Sequence, residues 1–167
     1  FFDKIRLKKW YDNTLFIITA DHTQKLENPE FKNLLGGYRV PLLMYHPSVD
    51  LSEFKKDRIT QHVDIMPSVL DFLGITENSL LKYGSSIFNN DQGRMINFIS
   101  GNYLYLKSPN LVRFDGEKAS YFTLNEDYSK LEKSENQSLD NILEELKAYI
   151  QLTNNGLKNN NLYKIQR

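Results

Sequence analysis

The sequence of 167 residues contains no cysteine, which excludes a disulfide framework, a thiolate nucleophile and a thiolate metal ligand. No apolar run approaches the ~20 residues of a membrane-spanning helix, and no secretory signal is present. The formal net charge is zero, which argues against nucleic acid or an anionic membrane surface as the main partner. Because the chain begins at Phe1 with residues typical of a helix end, we expect a fragment of a longer protein, whose signals and anchors these absences do not describe.

An uncharged run, Thr14–Thr19, is followed at once by Ala20, Asp21 and His22. A run of this kind predicts a strand of a parallel sheet that is buried on both faces. Because neighbouring strand residues point to opposite faces, Asp21 and His22 can face one ligand only if the chain has left the strand. Ligands of open α/β sheets bind beyond the carboxyl ends of the strands. A carboxylate beside an imidazole there indicates a divalent metal site. In the alternative interpretation, Asp21 caps the next segment and His22 is an ordinary loop residue.

A second buried strand and a helix are predicted next. The strand spans Pro41–Tyr45, with Pro41 at its first ladder position or on an edge, since proline lacks an N–H. His46 follows and is interpreted as structural. The helix spans Asp64–Leu73, with Asp64 as its N-cap and Gly74 after its last turn. One face of the helix is apolar, formed by Met66, Val69, Leu70 and Leu73.

From Met95 the apolar period changes to two, which predicts an antiparallel meander. Its four strands are Met95–Ser100, Tyr103–Lys107, Leu111–Phe114 and Ala119–Leu124. A charged loop, Asp127–Gln137, precedes a last helix that Ser138 caps and that stops at Asn154–Gly156. The inner face of this helix comprises Leu139, Ile142, Leu143, Leu146 and Ile150. We expect an α/β core over residues 1–90, the small sheet with its helix over 91–153 and a frayed tail over 154–167.

Three of these segments, Asn13–His22, Tyr38–Leu43 and Gln61–Ile75, stand in a characteristic order. Together they resemble the C-terminal part of the sulfatase and lipoteichoic-acid-synthase branch of the alkaline phosphatase superfamily. The resemblance covers roughly Phe1 to Ile150. It implies an α/β fold, the C-terminal part of an alkaline-phosphatase-like sandwich with parallel strands and flanking helices, joined by a small antiparallel sheet and a C-terminal helix.

The resemblance implies that Asp21 and His22 ligate a divalent metal beside a Thr, Ser or formylglycine nucleophile. In the family that nucleophile and a further acidic ligand come from earlier in the chain. We therefore expect no catalytic residue in this chain and no turnover from it alone. Mn²⁺ is the expected metal because the matching branch often uses it, with Zn²⁺, Mg²⁺ and Ca²⁺ as alternatives.

The residues after the pair distinguish between branches of the family. Sulfatases usually follow the Asp-His pair with Gly and later show a further His and Lys. Here Thr23 follows, and Gln24–Tyr38 contains no His. This favours the branch that resembles phosphoglycerol or phosphoethanolamine transferases, which are typically membrane-anchored with an extracytoplasmic (periplasmic or extracellular) catalytic domain. Their substrate class is phospholipid.

Two other functions remain open. One is a sulfatase acting on sulfate esters, and the other is a non-catalytic module that binds an anionic glycolipid. His62 is a candidate substrate-binding residue, since it precedes a helix near the expected rim of the active site. Alternatively, His62 is only a polar residue at the start of that helix.

Overall fold

The computed structural model describes residues 1–23, 31–52, 57–75, 83–125, 129–135 and 139–161. The chain forms two compact units, Phe1–Phe54 and Lys55–Arg167. Within the described ranges, no helix has the length and apolar character needed to cross a bilayer. The domain division predicted at residues 90 and 91 stays a prediction about the organisation of the intact protein.

The first unit contains a two-stranded sheet whose direction differs from the prediction. Its elements are helix α1 (Phe2–Ile5), a 3-10 helix (Tyr11–Asn13), strand β1 (Phe16–Thr19), a second 3-10 helix (Gly36–Tyr38) and strand β2 (Leu42–Tyr45). Strands β1 and β2 pair antiparallel, so the predicted parallel arrangement is wrong for this pair. Parallel neighbours need a long crossover, usually an α-helix. The described part of the connection contains only the second 3-10 helix.

Strand β1 is less buried than its apolar sequence predicts. It begins at Phe16, and Ile18 and Thr19 at its end are exposed, so the prediction of burial on both faces is wrong. The Phe16 ring instead packs in an aromatic cluster with Phe2 and Tyr45, whose ring centroids lie 5.3 and 6.0 Å away. Such ring contacts stabilise the unit beyond the area that they bury.

The second unit is built on a five-stranded sheet. A 3-10 helix (His62–Asp64) leads into α2 (Ile65–Phe72), and the sheet and last helix follow as β3 (Met95–Ile99), β4 (Asn102–Lys107), β5 (Asn110–Phe114), β6 (Ala119–Leu124), β7 (Leu131–Ser134) and α3 (Asp140–Lys158). The strands pair antiparallel in sequence order, which confirms the meander. Strand β7 lies where a charged loop was predicted. That prediction is wrong for Leu131–Ser134, which pair with β6; the exposed charged residues Glu132 and Lys133 are tolerated because the strand lies at the edge of the sheet.

Helix α3 packs its apolar face on the sheet. Tyr105, Val112 and Phe114 of the strands form one core cluster with residues from the predicted inner face of the helix, namely Leu139, Ile142 and Leu146, with Leu143 and Ile150 packed beside them. The helix runs to Lys158, so the predicted stop at Asn154–Gly156 is wrong; intrinsic propensity is only a weak prior for a helix end. The predicted cap, Ser138, and residues 162–167 of the predicted tail lie outside the described residues.

Helix α2 forms where predicted but buries a different face. Met66 and Leu73 are 59% and 60% exposed, whereas Ser68 is fully buried. The Ser68 hydroxyl donates to the Asp64 carbonyl at 2.6 Å and accepts the Ile87 N–H at 3.0 Å. Hydrogen bonds therefore anchor the inner face of this helix, and the predicted apolar face is wrong for Met66 and Leu73.

Shortening Leu146, which lies in the core between α3 and the sheet, should destabilise the chain strongly. We expect Leu146→Ala to lower the free energy of unfolding by about 2–5 kcal/mol, because a fully buried leucine leaves a cavity when shortened. Leu157→Ala in the same helix is the control, since Leu157 is 60% exposed. Urea unfolding followed by circular dichroism measures both; equal midpoints for the two variants would contradict the packing of α3.

Glu145 should make stability depend on pH. Lys107 Nζ lies 2.8 and 2.9 Å from its two carboxylate oxygens, and the Tyr105 hydroxyl donates to one of them at 2.9 Å. The Lys107 hydrogen bonds, helped by Tyr105, hold the pKa of Glu145 below its ordinary value. A lowered folded-state pKa contributes stability at neutral pH that is lost as the pH falls through that pKa.

We therefore expect Glu145→Gln to be less stable than the wild type at neutral pH. The difference should stay below about 1 kcal/mol because the ion pair is nearly half exposed. It should shrink as the pH falls below the ordinary glutamate pKa of about 4.3 and vanish once the pH lies below the lowered pKa of the folded state. Glu144→Gln, at an exposed ion pair within α3, is the matched control for urea unfolding at both pH values. A difference that grows on acidification would reverse the assigned sign.

Candidate metal site

Asp21 and His22 lie just beyond the end of β1. The strand ends at Thr19, and both residues occupy a bend, so the chain has left the strand before the pair, as expected. Their side chains are 88% and 73% exposed. Both side chains are therefore accessible to an ion or a substrate from solution.

The two side chains converge on one point. Asp21 Oδ1 accepts the His22 backbone N–H at 2.9 Å, and Asp21 Oδ2 lies 3.5 Å from His22 Nε2. An oxygen and a nitrogen ligand at this separation could both reach one cation. The geometry is therefore compatible with two ligands of one cation.

The main chain fixes the tautomer of His22. Its Nδ1 lies 2.8 Å from the Thr23 carbonyl oxygen, which can only accept a hydrogen bond, so Nδ1 carries the proton. The neutral ring then presents a lone pair at Nε2, the atom that faces Asp21. This hydrogen bond and, to a smaller extent, the charge of Asp21 raise the pKa of His22. Protons therefore compete with a cation up to a higher pH than they would at an unperturbed histidine.

Asp21 and His22 could supply only part of the coordination shell of a metal ion. Among the described residues, no group of three His, Cys, Asp or Glu side chains could hold a metal. A catalytic metal normally takes about three protein ligands. The described residues can orient a cation through one oxygen and one nitrogen, and further ligands have to come from elsewhere.

The loop that carries the pair is tied to the turn before β2. The Thr23 hydroxyl donates to the Gly37 carbonyl at 2.5 Å. That turn is held in place because Asn33 Oδ1 accepts the Leu35 and Gly36 N–H groups at 2.9 and 2.8 Å. A Cβ at Gly36 would lie 2.2 Å from the Phe31 carbonyl oxygen, so only glycine fits there. Sequence analysis missed this contact, and its signal was a threonine where sulfatases usually carry glycine.

The other two histidines differ from His22, one in its role and the other in the compact unit that contains it. His46 follows β2, and its Nδ1 accepts the Ser48 N–H at 3.1 Å, in keeping with a structural role. His62 belongs to the second unit and is exposed at the start of the 3-10 helix before α2. The structure therefore brings Asp21 and His22 together, and a substrate-binding role of His62 stays a prediction.

Asp64 occupies the N-cap position of α2, as predicted, but its side chain makes no cap hydrogen bond to that helix. Its two oxygens accept the Gln61 and Ser85 N–H groups at 2.9 and 2.8 Å, which makes Gln61 the cap of a capping box. The 3-10 turn starts the helical segment earlier than the α-helical pattern indicated. Arg58 Nη1 lies 3.6 Å from the same carboxylate, so the buried charge of Asp64 is compensated.

Arg58 is a buried charge whose side chain is 1% exposed. Its Nε donates to Asp91 Oδ1 at 2.8 Å and its Nη2 to the Ser85 hydroxyl at 2.6 Å. Its Nη1 donates to the Ile59 carbonyl at 3.1 Å. All three nitrogens are bonded, which indicates a structural role.

The chain is similar in sequence to known proteins. Residues 1–75, which include Asp21, His22 and His62, match the family model of sulfatases. The chain is 25% identical to both lipoteichoic acid synthase 1 and lipoteichoic acid synthase 2 of Bacillus subtilis (strain 168). These alignments cover 83% and 86% of this chain and 24% of each relative. The chain thus spans about a quarter of the length of the curated relatives it matches.

A solved structure shares the fold. A protein of the alkaline phosphatase superfamily from Vibrio parahaemolyticus superposes with a TM-score of 0.78 at 23% identity, over 99% of this chain and 40% of that one. The resemblance carried by the three sequence segments is thereby confirmed at the level of fold. The chain therefore has a sulfatase-like segment over residues 1–75, is similar to lipoteichoic acid synthases along most of its length, and shares its fold with a protein of the alkaline phosphatase superfamily.

Proposed function

We propose that the intact protein is a metal-dependent transferase that moves a phosphoglycerol or phosphoethanolamine head group from a phospholipid to an acceptor. A Thr or Ser upstream of this chain would carry the group as a covalent intermediate. The single observation that carries the proposal is the convergence of Asp21 Oδ2 and His22 Nε2, 3.5 Å apart, with Nδ1 already engaged. We expect no turnover from this chain alone, because the proposed nucleophile would come from earlier in the intact protein.

The donor set fits a divalent cation, which would act as a Lewis acid on a phosphoryl oxygen. Asp21 contributes negative charge, and His22 contributes a neutral nitrogen in the tautomer that Thr23 selects. A remainder of the site rich in oxygen would favour Mn²⁺ or Mg²⁺, and one rich in nitrogen would favour Zn²⁺. We propose Mn²⁺, the metal often used by the branch that the sequence resembles, with Ca²⁺ the least favoured alternative.

Transfer of a phosphorylated head group is preferred to sulfate-ester hydrolysis for two reasons. Thr23 occupies the position where sulfatases usually carry glycine, and Gln24–Tyr38 lacks their additional histidine. The full-length relatives are named for lipoteichoic acid synthesis. By the same analogy, we propose that the intact protein is anchored in the cell membrane with its catalytic domain outside the cytoplasm, where phospholipid head groups are accessible.

Removing the imidazole should abolish metal-dependent turnover. In the intact protein we expect His22→Ala to lower the rate about a thousandfold, because a Lewis-acid contribution of several kcal/mol is lost. Bound Mn²⁺, measured by mass spectrometry of metal content, should fall in parallel. The melting temperature should change little, since the His22 side chain is 73% exposed.

His46→Ala is the matched control, a histidine of the same unit with a structural hydrogen bond. It should keep the metal stoichiometry and the rate of the wild type. An unchanged metal content together with an unchanged rate in His22→Ala would contradict the metal assignment.

The substrate assay separates the second candidate function. The match of residues 1–75 to sulfatases favours hydrolysis of sulfate esters as the alternative. Purified intact protein should release diacylglycerol from phosphatidylglycerol or phosphatidylethanolamine vesicles faster than it hydrolyses an aryl sulfate. The reverse ratio would identify a sulfatase. Binding of anionic glycolipid without turnover of either substrate would indicate the non-catalytic module.

The proposed substrate contact of His62 can be tested in the same assay. His62 is exposed, whereas its neighbour Asp64 is buried in the capping box. If the imidazole contacts the head group, His62→Ala should raise KM about tenfold, the loss of one hydrogen bond to a charged group, and leave the metal content unchanged. Kinetic constants equal to those of the wild type would identify His62 as only a polar residue at the start of the helix.

A further inference from the structure

We propose that Thr23 is a positioning residue that holds His22 in the orientation and tautomer needed to bind a cation. The inference rests on the proposed function, because it assumes that Asp21 and His22 ligate a divalent ion. In this proposal Thr23 is neither a ligand of the ion nor a substrate contact. It acts on His22 through its own main chain and side chain.

Thr23 contacts both the imidazole and the body of the first unit. Its carbonyl oxygen accepts the proton of His22 Nδ1 at 2.8 Å, and its hydroxyl donates to the Gly37 carbonyl at 2.5 Å. The first contact turns Nε2 toward Asp21, and the second fixes where the carbonyl lies. Histidine ligands of metals generally donate their other ring N–H to such an acceptor, which sets the tautomer and the ring orientation.

The turn that contains Gly36 and Gly37, which the Thr23 hydroxyl contacts, is rigid enough to hold that hydroxyl in place. Gly36 is buried, and the backbone at Gly36 approaches Phe31 too closely for any Cβ. Asn33 bonds two successive N–H groups of the same turn. By contrast, the Asp21 and His22 side chains are mostly exposed, so little packing holds them. The Thr23 hydroxyl therefore helps to fix the loop that carries Asp21 and His22, whose side chains are held by little packing.

The hydroxyl is the group that distinguishes this chain from one with glycine after the pair. Glycine keeps the carbonyl that His22 needs but has no side chain to reach Gly37. Serine keeps the carbonyl and the hydroxyl. Valine keeps the shape of threonine and loses the hydroxyl, so the pair of variants Thr23→Val and Thr23→Ser isolates the hydrogen bond.

The test is the affinity of the intact protein for Mn²⁺, titrated by the electron paramagnetic resonance signal of the free ion. We expect Thr23→Val to raise the Kd about tenfold, the lower end of the range for residues that orient a metal ligand. Thr23→Ser should stay within about twofold of the wild type. The melting temperature of the metal-free protein should be the same for both variants, since a purely structural role would lower it in the valine variant.

Asn33→Ala provides a second variant that leaves Thr23 intact and loosens only its anchor. It should weaken Mn²⁺ binding in the same direction by a smaller factor, whether or not the valine variant folds well. Wild-type affinity in both Thr23→Val and Asn33→Ala would overturn the positioning role. Loss of binding in His22→Ala together with that result would leave the proposed metal site standing. Wild-type binding in His22→Ala would instead overturn the metal site and the role of Thr23 with it.

Discussion

The second unit depends on the burial of one guanidinium. The Arg58 side chain is 1% exposed, and a buried guanidinium charge needs opposite charge beside it. Asp64 and Asp91 supply the opposite charge. The same Asp64 closes the capping box at Gln61, whose side-chain oxygen also accepts the N–H of Ile96 in β3 at 2.8 Å. The start of α2 and the first strand of the sheet are therefore joined through polar contacts.

Asp21 and His22 in the first unit are exposed to solvent, whereas Arg58 in the second unit is buried. The Asp21 and His22 side chains are solvated, so their charges are screened and the field between them is weak. What the fold contributes is orientation, through backbone hydrogen bonds that need no burial. An exposed pair of this kind becomes a strong site only when further ligands and a water-excluding surface are added. In the proposed metal site, Asp21 and His22 would supply direction, and further ligands would supply the strength.

The apolar periodicity of the sequence predicted the positions of the helices and strands better than it predicted their direction or burial. The positions of β1, β2 and α2, the meander and the inner face of α3 follow from local apolar patterns, and the structure has all of them. The direction of β1 against β2 depends on the connection between them, and the buried face of α2 depends on Ser68 finding a partner at Ile87. In the site, motif order located Asp21 and His22. The link from Thr23 joins residues 14 positions apart, which no local pattern encodes.

The order of the strands has a consequence for how the chain folds. Every strand from β3 to β7 pairs with its immediate neighbour in sequence. The loops that must close are therefore short, and the entropy lost before the first contacts form is small. Proteins dominated by such local pairings cross lower barriers than those built on distant strands. Within the second unit the meander can thus form early, whereas the pairing of β1 with β2 in the first unit has to close a longer loop.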